Sequence, residues 1–263
     1  MQSIRLHVVR SLKTCLTGAF LFWEEHMERK HPHQFYFSRS DLLLWGISVA
    51  LIAVSFILFD RENPLTLVAS LIGVSSLILN ARGNPAGQVL MIVFSLLYGI
   101  ISYGFAYYGE MITYLGMTAP MSLLALISWL KNPYQKGKSE VRTDRLKRHE
   151  PLLLTFLSIL VTLLFYFILK MLGTANLLPS TVSVTTSFVA AYLTFRRNPA
   201  FALAYAANDV VLLVLWITAA LHDTSYLSVV FCFLAFLIND LYGFVCWKQM
   251  EKRQREQNAN IAV

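Results

Sequence analysis

Charged side chains are scarce in this sequence: Asp, Glu, Lys and Arg make up 14% of its 263 residues, against about 25% in an ordinary soluble domain. Cysteine is scarcer still. Cys15, Cys232 and Cys246 form an odd set without metal-ligand spacing, and two of them lie in apolar runs where a thiol acts as a small hydrophobe. A disulfide framework and a zinc site are therefore not expected. Catalytic groupings are missing too. The histidines His7, His26, His31, His33, His149 and His222 fall in the tail or in loops, and no nucleophile with its base, metal set or paired carboxylates stands out. The sequence argues against an enzyme and calls for no cofactor.

Hydrophobic residues are abundant, at 56% of the chain. They gather into apolar runs, six of the eight uncharged, long enough to cross about 30 Å of hydrocarbon. The runs cover roughly Leu42 to Phe59, Pro64 to Asn80, Pro85 to Tyr108, Met111 to Leu130, Leu152 to Leu169, Leu177 to Phe195, Pro199 to Leu221 and Ser225 to Trp247. An all-α integral membrane fold with eight transmembrane helices follows. The net charge of +7 does not indicate nucleic acid, because the basic residues sit in short loops between apolar spans. With the N-terminus inside, every one of the 22 Lys and Arg residues except Arg61 and Lys170 falls on the inner side, as the positive-inside rule requires. Both termini are expected in the cytoplasm. Residues 3–30 mix basic residues with Leu, Val, Phe and Trp23, which fits an amphipathic helix in the inner interface. A signal peptide is the competing reading, but no small-residue cleavage site follows Cys15 to Trp23.

The sequence also repeats itself. Arg82-Gly83-Asn84-Pro85-Ala86 superposes on Arg196-Arg197-Asn198-Pro199-Ala200, and each copy opens a helix where Pro is tolerated in the first turn. Each is followed by a long span, a short outer turn and a helix ending in a tryptophan, Trp129 or Trp247. Two three-helix repeats joined by one linker helix enter the membrane in the same orientation. Parallel repeats of this kind place a substrate site near the midplane between them. The expected organisation is an amphipathic cytoplasmic segment (1–40), an extra N-terminal transmembrane helix (41–60), a first repeat (61–131), a basic cytoplasmic loop (132–150), a linker helix (151–171), a second repeat (172–248) and a cytoplasmic tail (249–263).

This layout, with its Asn-Pro openings, Asn208, Asn239, the Tyr242-Gly243 pair and a closing tryptophan, resembles the PnuC family of bacterial nicotinamide riboside transporters. The resemblance covers about residues 60–248, and Leu42 to Phe59 looks like the additional N-terminal helix of some members. The first unit departs from the pattern by ending in Ser128-Trp129. The resemblance implies a SWEET-like fold and uptake of a vitamin B3 form across the inner membrane by facilitated diffusion. A cytoplasmic riboside kinase would trap the solute. Membrane lipid and a second copy of the chain are further expected partners.

Two formal charges lie well inside the spans, Asp209 and Asp240, each preceded by asparagine. Such groups cost about 2.5 to 3.5 kcal/mol each at a helix centre, and no Lys or Arg in the spans offsets them. Helical spacing lines up Tyr205, Asn208, Asp209 and Trp216 in one stripe and Asn239 and Tyr242 in another. Nicotinamide riboside has a flat cationic ring, a carboxamide and ribose hydroxyls, which call for aromatic faces and amides. In the first unit Gln88 and Tyr98 occupy the corresponding face. The expected substrate-binding residues are Gln88, Tyr98, Tyr205, Asn208, Asp209, Asn239, Asp240 and Tyr242. The bland alternative is that the amides bond helix to helix at about 0.6 kcal/mol each, that the carboxyls tie helices, and that the tyrosines pack. Trp23, Trp45, Trp129 and Trp247 read as interfacial anchors. The hydroxyls from Thr181 to Ser187 face either the pore or backbone carbonyls. A SWEET-like transporter of a sugar or another nucleoside is the alternative function, and a channel or receptor-like scaffold a more distant one.

Overall fold

The computed structural model describes residues 37–104, 108–135, 138–174 and 176–261. Eight of its helices are long and apolar enough to cross a membrane. Helix α1 spans Arg39–Phe59, α2 Pro64–Ala81, α3 Ala86–Gly104 and α4 Tyr108–Lys131. Helix α5 spans Glu150–Met171, α6 Leu177–Phe195, α7 Ala200–Ala220 and α8 Leu227–Ile261. The amphipathic helix expected within residues 3–30, including Trp23, lies outside the described residues.

Local chemistry explains the helix ends. Ser38 caps α1: its hydroxyl accepts from the Asp41 amide at 3.2 Å and the Asp41 carboxylate accepts from the Ser38 amide at 2.7 Å, a reciprocal capping box. Asn84 and Asn198 accept from the amides of Ala86 and Ala200, each at 3.0 Å, so both Asn-Pro turns start their helices in the same way. The residues two positions before these prolines, Gly83 and Arg197, have left-handed φ values of +63° and +55°. Helix α4 carries a π turn at Tyr114–Thr118, where Pro120 has no amide to offer the Gly116 carbonyl and the ladder widens.

The packing recurs in matched pairs. Helix α2 packs on α3 and α6 on α7; α3 packs on α4 and α7 on α8; α4 reaches α6 and α8 reaches α2. Both closing tryptophans seal the crossings. Trp129 donates to the Thr194 carbonyl at the end of α6 (2.9 Å), and Trp247 donates to the Asn80 carbonyl at the end of α2 (2.7 Å). Their rings meet at 5.4 Å, and neither has any exposed surface. The expectation that these two anchor the interface is corrected: a buried indole N–H needs an acceptor, and a helix-end carbonyl of the other helix group supplies it. Trp45, by contrast, is 41% exposed on α1 and bonds to Ser75.

Helices α1 and α5 lie at the periphery. α1 packs against α2 and α8, α5 against α6, and their remaining surfaces are apolar and open. Helix α8 continues well beyond Trp247, so the expected tail is helical as far as Ile261. The loop before α5 folds onto it. Val141 donates to the Gly83 carbonyl and Asp144 to the Arg197 carbonyl, which brings both Asn-Pro turns, the loop and the α8 extension to one face of the protein.

Candidate functional site

Helix α7 supplies Asn208 and Asp209 about 12 Å from its loop-side end, at about 1.5 Å per residue. Asn208 is buried, and its side-chain carbonyl accepts from Thr186 (2.8 Å), Ser187 (3.0 Å) and Ser183 (3.1 Å) of α6. That oxygen is saturated by the α6–α7 seam. The other α6 hydroxyls turn to backbone: Thr181 donates to Leu177 and Thr185 to Thr181. The hydroxyls thus serve the α6–α7 seam and the α6 backbone, and Thr186 bonds to both.

Asp209 on α7 and Asp240 on α8 are both buried, and the two carboxyls are close enough to interact. One Asp209 oxygen, Oδ2, is buried without a hydrogen-bond partner. Asn239, the preceding residue on α8, is divided. Its amide nitrogen donates to Ser48 on α1 (2.8 Å) and to the Ala235 carbonyl (2.7 Å), while its oxygen is buried and unpartnered. Tyr205 is half-buried one turn before Asp209, set edge-on to Phe201 with ring centroids 6.3 Å apart.

On the α3 side, Tyr98 is buried in an aromatic cluster with Tyr114 (4.5 Å), Phe94 (5.4 Å), Phe233 (5.8 Å) and Trp216 (6.3 Å between centroids). This cluster joins α3 and α4 to α7 and α8. Gln88 does not reach it. Its amide donates to Asn80 at 2.9 Å near the loop-side ends of α2 and α3. The two helices come close there because Gly87 has no side chain; a Cβ would lie 2.8 Å from the Asn80 backbone nitrogen.

Tyr242 also faces away from the carboxyl pair. Its hydroxyl donates to Asp41 on α1 at 2.7 Å. Asp41 is fully buried and accepts from Arg82 as well, with a closest approach of 2.6 Å, and Arg82 donates to Ser38. Burial works against the Arg82 cation, but the bond and charge of Asp41 overcome it and hold the guanidinium above its ordinary pKa. This lock fastens α1 to the α2–α3 turn and to α8.

Sequence reasoning overlooked Asp41 and Glu110 as buried carboxyls. Asp41 carried a signal, since Ser38-Arg39-Ser40-Asp41 is a capping-box pattern. Glu110 sat at the edge of an apolar run; in the fold it is 2% exposed, with one oxygen unpartnered. Asp209 and Asp240 therefore meet between α7 and α8, Asn239 turns its amide to α1, and Tyr98 stands in the aromatic cluster of α3, α4, α7 and α8. Gln88 and Tyr242 belong to loop-side seams. A cavity of about 450 Å³ under the loop and an apolar groove between α5 and α6 are lined by other residues.

Residues 63–249 match the model of the family described as nicotinamide mononucleotide transporter. The chain belongs to that family. Members are transporters rather than enzymes, and this one is a multi-pass membrane protein. A nicotinamide riboside transporter PnuC of Neisseria mucosa is 25% identical over 210 residues, which are 78% of this chain and 79% of the relative. The crystal structure of a vitamin B3 transporter PnuC superposes with a TM-score of 0.73 at 22% identity, covering 83% of this chain and 94% of the other. The resemblance to PnuC transporters and the all-helical fold read from the sequence are both borne out. The family match begins after α1, so the helix that holds Ser48 and Asp41 lies outside it.

Proposed function

We propose that this protein carries nicotinamide riboside across the bacterial inner membrane by facilitated diffusion. In this reading two parallel three-helix repeats, α2–α4 and α6–α8, alternate access to a midplane site, with α5 as linker. The loop-and-tail face is cytoplasmic, as its basic residues favour. A single observation carries the substrate assignment. Asp209 and Asn239 present buried acceptor oxygens without donors, beside a second carboxyl, Asp240, and the eight spans hold no Lys or Arg at that depth. Such a site wants donors and positive charge. The riboside brings both, in its carboxamide N–H groups, ribose hydroxyls and pyridinium ring; the mononucleotide adds a phosphate that two carboxyls repel.

The expected site residues sort accordingly. Asp209, Asp240 and Asn239 contact the riboside, Tyr98 and Tyr205 wall it, and Asn208 keeps its carbonyl on α6 while its amide N–H groups serve the guest. Gln88 and Tyr242 act at a distance by holding the loop-side seams. Transport is uncoupled, with accumulation left to cytoplasmic phosphorylation. Calorimetric titration with the riboside, nicotinamide and a hexose tests the reading. The riboside binds saturably and Asp240→Asn weakens it at least tenfold by removing one of the two carboxyls that receive it. Wild-type affinity in Asp240→Asn, or preference for the hexose, contradicts it.

A further inference from the structure

The cavity of about 450 Å³ on the loop-and-tail face lies far from the carboxyl pair and has a different chemistry. Its walls are the loop after α4, the α6–α7 turn and the extension of α8. Gln254, 2% exposed, ties the α8 extension to the loop: its side-chain oxygen accepts from the Thr143 amide and hydroxyl (both 2.9 Å), and its nitrogen donates to Glu140 (2.8 Å) and to the Val141 carbonyl (3.0 Å), while the Asp144 amide donates to the Arg197 carbonyl of the turn. The cavity is therefore a built feature and not a gap between loose segments. Its volume lies in the range of small-ligand sites.

Cations outnumber anions in it. Arg142, Arg145, Arg197 and Arg255 line the space with only Asp144 and Glu251 opposite. Glu251 already faces Arg145 (3.0 Å), Arg255 (2.8 Å) and Lys248 (3.4 Å), and Asp144 is shared by Arg196 (3.2 Å) and Arg197 (3.4 Å). Arg142 is exposed and has no ion pair among the described residues. The Nε of Arg197 is buried without an acceptor. Burial draws this guanidinium below its ordinary pKa, and Arg196 and Arg142 pull the same way against Asp144.

The backbone adds an independent observation. Arg197 occupies a left-handed conformation, and the equivalent residue of the other Asn-Pro turn is Gly83. Glycine suits that conformation and an L side chain does not. An arginine stands here against local preference, and its contacts show what the side chain does. Part of that is a bond to the Ser128 hydroxyl at 3.0 Å; the unpartnered Nε is left for something else.

We propose that this cavity binds a phosphate-bearing small molecule of nucleotide size, with the phosphate seated among Arg142, Arg197 and Arg255. Arginine forks match phosphate oxygens in pairs. A soluble ligand is favoured over a lipid headgroup, because the walls are a folded loop and the polar extension of α8, where Glu251 to Asn258 follow the end of its apolar stretch. The site needs nothing from the transport reading, and its test is a binding measurement.

Full-length protein in phosphatidylcholine nanodiscs is titrated with adenosine 5′-monophosphate and with adenosine. The monophosphate binds at least tenfold more tightly, and Arg142→Gln and Arg197→Gly each weaken it at least tenfold. Arg142→Gln keeps the wild-type melting temperature, which separates loss of binding from loss of fold. Equal affinity for the two probes, or undiminished monophosphate binding in Arg142→Gln and Arg197→Gly, overturns the proposal. So does monophosphate binding that vanishes when phosphatidylglycerol is added, which would give the site to a lipid headgroup.

Discussion

Replacing Asn239 by alanine removes two things at once, a seam bond and a free acceptor, and the structure allows them to be separated. The amide nitrogen bonds to Ser48 and to the Ala235 carbonyl, and the oxygen bonds to nothing. If that oxygen receives a donor from the riboside, Asn239→Ala leaves the ligand group unpaired in a dry site. An unsatisfied buried donor costs about 1 to 3 kcal/mol, which at 1.4 kcal/mol per decade is roughly five- to 150-fold in affinity. Ser48→Ala removes only the seam partner. The amide keeps its bond to Ala235, so riboside affinity should change less than about threefold while thermal stability falls slightly. Calorimetric titration of both variants, each accompanied by a melting curve, checks this. Equal losses of affinity in the two variants, in proportion to their losses of stability, would assign Asn239 to packing alone and remove it from the site.

Three further outcomes follow from the same geometry. Asp41→Ala breaks the lock with Arg82 and Tyr242; such a break costs about 3 to 5 kcal/mol when fully buried, and because the Arg82 side chain is 37% exposed about 2 kcal/mol is expected, read as a lower melting temperature in detergent. An unchanged melting temperature would show that the lock contributes nothing. Trp247→Phe leaves the Asn80 carbonyl without its indole donor and should cost about 1 to 3 kcal/mol; Trp129→Phe should match it at Thr194, and a large difference between the two would break the correspondence of the crossings. Burial raises the Asp60 carboxyl above its ordinary value, against hydrogen bonds from Asn63 and Ser228. A raised carboxyl binds its proton more tightly in the folded state, so its contribution is full below the unfolded value of 3.8 and is lost as pH rises through the folded value. Asp60→Asn should flatten that decline and stabilise the protein at neutral pH; an unaltered pH profile would count against it.

Much of the fold was legible because membrane spans announce themselves by composition. Every apolar run read from the sequence is a helix, with shifts of a few residues at most ends. Side-chain partners were not legible, since a stripe of polar residues on a helix does not say which neighbour it meets. Asn208 and Asn239 were read as equivalent, yet one spends its oxygen on three α6 hydroxyls and the other keeps its oxygen free. Trp129 and Trp247 looked like interfacial anchors because position along the span was the only information. Their burial comes from helices distant in sequence crossing at those points. The α8 extension was hidden by its polarity, which resembles a tail until Gln254 and Arg253 find Glu140 in the loop.

The central claim is that an acceptor-rich, cation-free site inside the membrane passes the unphosphorylated riboside. Vesicles loaded with unlabelled nicotinamide riboside and diluted into labelled riboside test it directly. Reconstituted protein should produce counterflow of label that saturates, needs no ion gradient and is not reproduced with labelled nicotinamide mononucleotide. Equal or faster exchange of the mononucleotide, or uphill accumulation driven by a proton or sodium gradient alone, would contradict the account.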